Sequence, residues 1–296
     1  MTQDAFSKYH PAINILFFVG AIGSCVMIQH PAYLLAGVLT SGMYYLLLHG
    51  RSGWKMIGAL VPLFLFLAAI NPLFNTRGET VLFWILGRPY TLEALLYGVS
   101  VASVFVVMML WLGCYNKVLT GDKFTCLFGN LIPSLSLLLV MVFRLVPNLI
   151  RKTRQISGAR KAIGKGAGSG ASLKNKLTAG MTVLGVLTSW ALEGSVVTGD
   201  SMRARGYGTA RRSSFTIYRM TAADWGMLCI LLILLGTVIG FAIGGSMTAT
   251  FVPKRSIAPI GGTNLLGFAA YCGYLLIPSA LHIKETIRWN ISKYRI

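Results

Sequence analysis

The stretch RLVPNLIRKTRQISGARKAIGKGAGSGASLKNK, Arg144 to Lys176, carries nine basic residues and no acid. It lies between two apolar stretches long enough to span a bilayer: 124–143, which has no charge, and 177–202, which has only Glu193 and Asp200. If both crossed, the basic segment would emerge on the opposite face from its neighbours. Those neighbours are just as basic, with Lys117 and Lys123 before and Arg203, Arg205, Arg211, Arg212 and Arg219 after. Short loops rich in Lys and Arg stay on the cytoplasmic side, and both faces cannot be that side. The simpler expectation is that neither stretch crosses. Residues 116–220 then form one cytoplasm-facing domain of long helices lying partly against the membrane.

The rest of the chain reads as membrane spans. Between charged residues, 42 uncharged positions separate Lys8 from Arg51, interrupted near the middle by Gln29-His30-Pro31, which gives room for two helices and a turn. A further 21 separate Lys55 from Arg77, 23 separate Glu93 from Lys117, 29 separate Asp224 from Lys254 and 28 separate Arg255 from Lys284. Each is one span at ~1.5 Å per residue across a core ~30 Å thick. The expected fold is all-α and polytopic. An N-terminal membrane domain, 1–115, holds spans near 12–28, 32–48, 56–74 and 93–115; a C-terminal one, 221–296, holds spans near 224–245 and 264–283.

Composition agrees with this reading. The 296 residues are 55% hydrophobic and 12% charged, with 27 Lys and Arg against 8 Asp and Glu, a net charge of +19. A soluble domain carries about 25% charged residues, so a cytosolic enzyme is disfavoured. Uncharged runs this long also disfavour a nucleic-acid binder. With six spans and both termini cytoplasmic, the outer face has Arg77, Arg88, Lys254 and Arg255, and the inner face has the other 23 of the 27 basic residues. The first apolar stretch runs into a second without a small-residue cleavage pattern, so the N-terminus is expected to remain in place.

Chemistry-bearing motifs are sparse. GARKAIGKG, Gly158 to Gly166, has five residues between Gly158 and Gly164 where a phosphate-binding loop needs four, and glycine follows the lysine where a hydroxyl residue is required for Mg²⁺. No Ser-His-Asp, paired-carboxylate or HExxH pattern occurs, and the four histidines fall near span ends. The five cysteines are scattered, with no CxxC, so neither disulfide nor metal is expected. No Asp or Glu lies deep in a span, which weighs against a proton-coupled transporter or an intramembrane hydrolase. The chain reads as non-enzymatic.

Within 116–220, Pro133 is placed to open a helix that runs to Ile163, with Pro147 expected to kink it, before the glycine-rich link from Gly164 to Gly170. A second helix is expected from about Leu177 to Arg205, stopped by Gly206 and Gly208. It ends in Met202-Arg203-Ala204-Arg205-Gly206-Tyr207-Gly208. An arginine between small residues can enter a groove on another protein and meet carboxylates there in bidentate fashion.

The segment ALEGSVVTGDSMRARGYG, Ala191 to Gly208, resembles the signature of the transmembrane coupling (T) component of energy-coupling factor (ECF) transporters. Asn71-Pro72-Leu73-Phe74, Arg144-Leu145-Val146-Pro147 and the two-helix insertion extend the likeness over about residues 8–245. The resemblance implies a subunit of an ATP-driven importer in a prokaryotic plasma membrane. Two ABC-type ATPase subunits dock on the tips of two cytoplasmic coupling helices, each carrying an Ala-Arg-X motif. A small substrate-binding (S) membrane protein captures a vitamin or metal ion and packs beside the coupling helices and spans. ATP and Mg would be bound by the ATPases, with no cofactor on this chain. By position, Ala204, Arg205 and Gly206 match the second motif. For the first, Ala159-Arg160 is followed by Lys161 where the family has Gly or Ser, and a different alignment puts Ile163-Gly164 at the Arg-Gly position. The span 264–283 lies beyond the family's common core. Two other readings remain: a self-sufficient secondary transporter, and a basic scaffold that binds anionic lipid.

Overall fold

The computed structural model describes residues 5–75, 78, 80–85, 88–121, 123, 127, 133–165, 172–209, 220–245, 247–250, 256–259 and 261–293. Asp122, Arg77, Arg211, Arg212, Arg219, Lys254, Arg255 and the link from Gly166 to Gly170 lie outside the described residues. Eight helices are described: α1 (Pro11–Met27), α2 (Pro31–His49), α3 (Arg51–Phe74), α4 (Leu92–Val118), α5 (Pro133–Ala162), α6 (Leu173–Ala204), α7 (Ala222–Ile243) and α8 (Asn264–Lys293). The protein is an all-α polytopic membrane protein.

Six described helices are long and apolar enough to cross a membrane: α2, α3, α4, α6, α7 and α8 as far as Trp289. Helix α1 has 17 residues, at the short end of the spanning range. This set differs from the sequence expectation in two places: it includes α6, and it leaves out α1, where a span was expected over 12–28. The charges of α6 sit near its ends, at Lys174, Lys176, Asp200 and Arg203, with Glu193 alone between, so its middle is long and apolar enough to span although the segments on either side are basic.

The chain divides into two compact units, residues 1–123 with 218–296, and residues 124–217. In the first unit α4 is central and packs against α1, α2 and α3; α1 also meets α7, and α8 meets α2 and α7. Small residues let α4 in close. A Cβ built on Gly98 would lie 2.7 Å from the Ala68 carbonyl oxygen on α3 and 2.9 Å from the Asn71 Cβ. Between α1, α4 and α8 the core is aromatic: Phe17 stacks on Tyr274 at 5.2 Å and meets Trp111 edge-on at 5.4 Å. Buried Tyr274 donates to the Phe17 carbonyl at 3.0 Å, which satisfies its hydroxyl inside an apolar bundle.

Local signals set the helix starts. His10-Pro11 and His30-Pro31 repeat one device, in which the histidine Nδ1 accepts the backbone N–H two residues on, at 3.2 Å from Ala12 and 3.3 Å from Ala32. The proline behind it occupies the first turn, where no N–H is missed. Thr221 and Asp224 form a reciprocal capping box on α7. Gly50 alone joins α2 to α3 at φ 56°, a left-handed conformation that favours glycine.

The six bundle helices alternate in direction, which separates two ends. At one end a hairpin of β1 (Val81–Ile85) and β2 (Arg88–Thr91) joins α3 to α4, and β3 (Ala249–Thr250) pairs with β4 (Ser256–Ile257) between α7 and α8. His30 Nε2 lies 3.0 Å from the Ala258 carbonyl, which ties the α1–α2 turn to that second loop. These hairpins leave no mark on the spacing of charges, because strands of two to five residues are far shorter than a bilayer-length run. At the other end lie the start of α1, the ends of α2, α4 and α8, and the start of α7. There Lys8 pairs with Glu285, and Lys117 donates to the Leu48 carbonyl.

Candidate functional site

The second unit contains the candidate site: α5, α6 and the turns that end them. The two helices pack on each other, with the Lys152 ammonium over the Trp190 ring, 5.5 Å from its centroid. Beyond that seam the unit is open. No residue of α6 is buried, and Leu184, Leu192, Val196 and Val197 on α6, with Leu138 and Phe143 on α5, are exposed. Large apolar side chains exposed in such number mark a surface met by a partner or a membrane.

Both helices end in the same hydrogen-bonded turn. On α6 the Gly206 N–H donates to the Arg203 carbonyl at 2.9 Å and the Tyr207 N–H to the Met202 carbonyl at 3.0 Å. On α5 the Gly164 N–H donates to the Lys161 carbonyl at 3.1 Å and the Lys165 N–H to the Arg160 carbonyl at 2.9 Å. Gly164 and Gly206 share a φ of 73°. These are two Schellman caps, in which a left-handed glycine reverses the chain and satisfies two of the last carbonyls. Arg205 is thus the C-cap residue of α6, exposed and held just before a fixed turn. No carboxylate among the described residues pairs with it.

The shared bonding pattern gives a residue-by-residue correspondence. Ala162-Ile163-Gly164 stands where Ala204-Arg205-Gly206 stands on the other tip, and the C-cap residue of α5 is Ile163, 68% exposed. Ala159 and Arg160 lie about one turn earlier. Arg160 is half-buried, and its guanidinium donates back to the Lys165 carbonyl at 3.3 Å, so it braces its own cap. Of the two alignments open in sequence, the one through Ile163-Gly164 puts like positions of the two caps together. The spacing Ala-X-Gly, present in both tips, was the signal for it. The first tip thus offers an exposed isoleucine flanked by Lys161 and Lys165, and the second an arginine flanked by Arg203 and Tyr207.

In the first unit, a cleft of about 180 Å³ is lined, among the described residues, by Met27, Ile28, Gln29, Ala242, Met247, Thr248 and Ala249, none of them charged. Glu93 and Asp224 sit in the first turns of α4 and α7, at the ends of the bundle. No family model matches the chain, and no curated protein matches it either.

Proposed function

We propose that this chain is the energy-coupling membrane subunit of an ATP-driven importer of the ECF type. It would be non-catalytic and carry no cofactor of its own, linking two ABC-type ATPase subunits, which bind ATP and Mg, to a small substrate-binding membrane protein for a vitamin or metal ion. It would sit in a prokaryotic plasma membrane with both termini and the unit 124–217 on the cytoplasmic side. The observation that carries this reading is the pair of identically capped helix tips on a unit whose α6 buries nothing in the isolated chain. Two tips in one geometry suit two related docking surfaces. Exposed apolar flanks suit proteins that cover them.

Charge supports the orientation. Lys8, Arg51, Lys55, Lys117, Lys123, Lys284 and Arg288 all belong to the bundle end at which the chain passes into and out of the second unit. The placement of Glu93 and Asp224 at helix ends supports coupling over ion-driven transport, which needs ionisable groups within the bilayer.

Purification of the full chain from its own membranes in mild detergent tests the reading. Two ATP-hydrolysing chains and one small membrane protein are expected to accompany it in fixed ratio. Recovery of the chain alone, after chemical crosslinking in the membrane before extraction, would count against the proposal.

A further inference from the structure

Residues 5–10 lie at the bundle end where the second unit is rooted. The first unit gives up the chain after Lys123 and takes it back at position 218. Phe6 is fully buried and meets Phe17 edge-on at 5.2 Å, which fixes the segment to α1. Next to it, Lys123, only 7% exposed, points its ammonium at three oxygens. It donates to the Ser7 carbonyl, to Ser7 Oγ at 2.7 Å and to the Val118 carbonyl at 3.1 Å. An ammonium has three protons to place, and burial of a charge is costly unless they are all accepted. Lys8 pairs with Glu285 near the end of α8. Finally, the His10 N–H donates to Asp224 Oδ1 at 3.1 Å, while Asp224 Oδ2 accepts from the Thr221 N–H at 2.9 Å and from the Thr221 hydroxyl at 2.8 Å.

One six-residue segment thus holds the last residue before the second unit and the first helical turn after it. We propose that residues 5–10 form a clasp that fixes both roots of the 124–217 unit to the bundle, with Lys123, Ser7 and Asp224 as positioning residues. Without it, Lys123 would lose the Ser7 oxygens and Asp224 the His10 N–H, and the two roots would no longer share one segment. With it, a displacement at either root is passed to α1 and α8. The clasp stands on these contacts alone; its use in passing an ATPase stroke to the membrane rests on the coupling reading above.

The two roots give a test that a merely local contact would fail. Amide hydrogen exchange is measured on the full chain in lipid nanodiscs, for the wild type, Lys123→Met and Lys123→Arg, and on a chain lacking residues 1–10. In Lys123→Met, protection is expected to fall at least about tenfold at 118–121, the factor brought by losing one charge-assisted hydrogen bond. It is also expected to fall at 221–225, where the same segment meets Asp224 through the His10 N–H. Lys123→Arg, which keeps the charge and donors, should recover much of both. Loss confined to 118–121, or wild-type protection at 221–225 after removal of residues 1–10, would overturn the clasp. Neither result bears on whether Arg205 docks an ATPase, so the two ideas fail separately.

Discussion

Arg205→Glu is expected to abolish capture of the proposed ATPase partners while leaving the chain folded. The side chain is exposed at the C-cap of α6 and meets no carboxylate among the described residues, so the fold does not depend on it. An acid at a helix C-terminus opposes the dipole, at a cost of about 0.3–1 kcal/mol. Across a docked interface the loss is larger: removing one partner of a buried charge pair costs about 2–5 kcal/mol, or more than about thirtyfold in affinity, before the reversed charge adds repulsion. Arg205→Lys separates the readings further. A bidentate docking site tolerates it poorly, whereas a surface that attracts anionic lipid tolerates it well. Arg160→Ala should cost far less, because that guanidinium is turned back on its own cap. Thermal unfolding checks the fold, and co-purification with ATP-hydrolysing chains checks the docking. Wild-type co-purification by Arg205→Glu would remove Arg205 from the account.

The second large effect is on stability. Gly98→Leu should separate α3 from α4, the most extensive helix pair of the bundle. The atom nearest the new Cβ is the Ala68 carbonyl oxygen at 2.7 Å, part of a helix backbone that cannot rotate away as a side chain tip would. Between membrane helices, close approach over small residues supplies most of the attraction. Overpacking costs about 1–3 kcal/mol, and leucine carries three carbons beyond the one that already clashes. The control is Gly236→Ala on α7, where nothing lies within 4 Å of the new Cβ. It should be neutral, or stabilising by up to ~1 kcal/mol from helix propensity. Melting curves in one detergent compare the two. Equal midpoints would mean that α3 and α4 do not meet at Gly98.

Runs without charge located the bundle helices because the bilayer excludes charge, and α1, α2 and α7 begin within two residues of the expected spans. The same criterion ended others early. Helix α3 starts at Arg51, five residues before the expected 56, and α8 runs ten residues past 283, since a helix that leaves the bilayer can continue through Lys55 or Lys284 and Arg288. Charge gaps report the membrane and not the helix. At the candidate site, the Ala-Arg-Gly tip was legible because glycine is the residue that takes a left-handed C′ position. The register of the first tip was open because Arg160 and Ile163 both lie near a glycine, and only the hydrogen bonds distinguish brace from cap residue. The clasp was not legible at all: it joins positions 7 to 123, 10 to 224 and 8 to 285, and no local pattern encodes pairings of that separation.

The most direct measurement is uptake into liposomes. The purified chain is reconstituted alone under an imposed ion gradient, and then together with its co-purified ATPases and small membrane protein with ATP inside or outside. No uptake is expected from the chain alone under any gradient, and uptake in the full set only with ATP on the ATPase side. Substrate accumulation by the chain alone, driven by a gradient without ATP, would contradict the coupling reading.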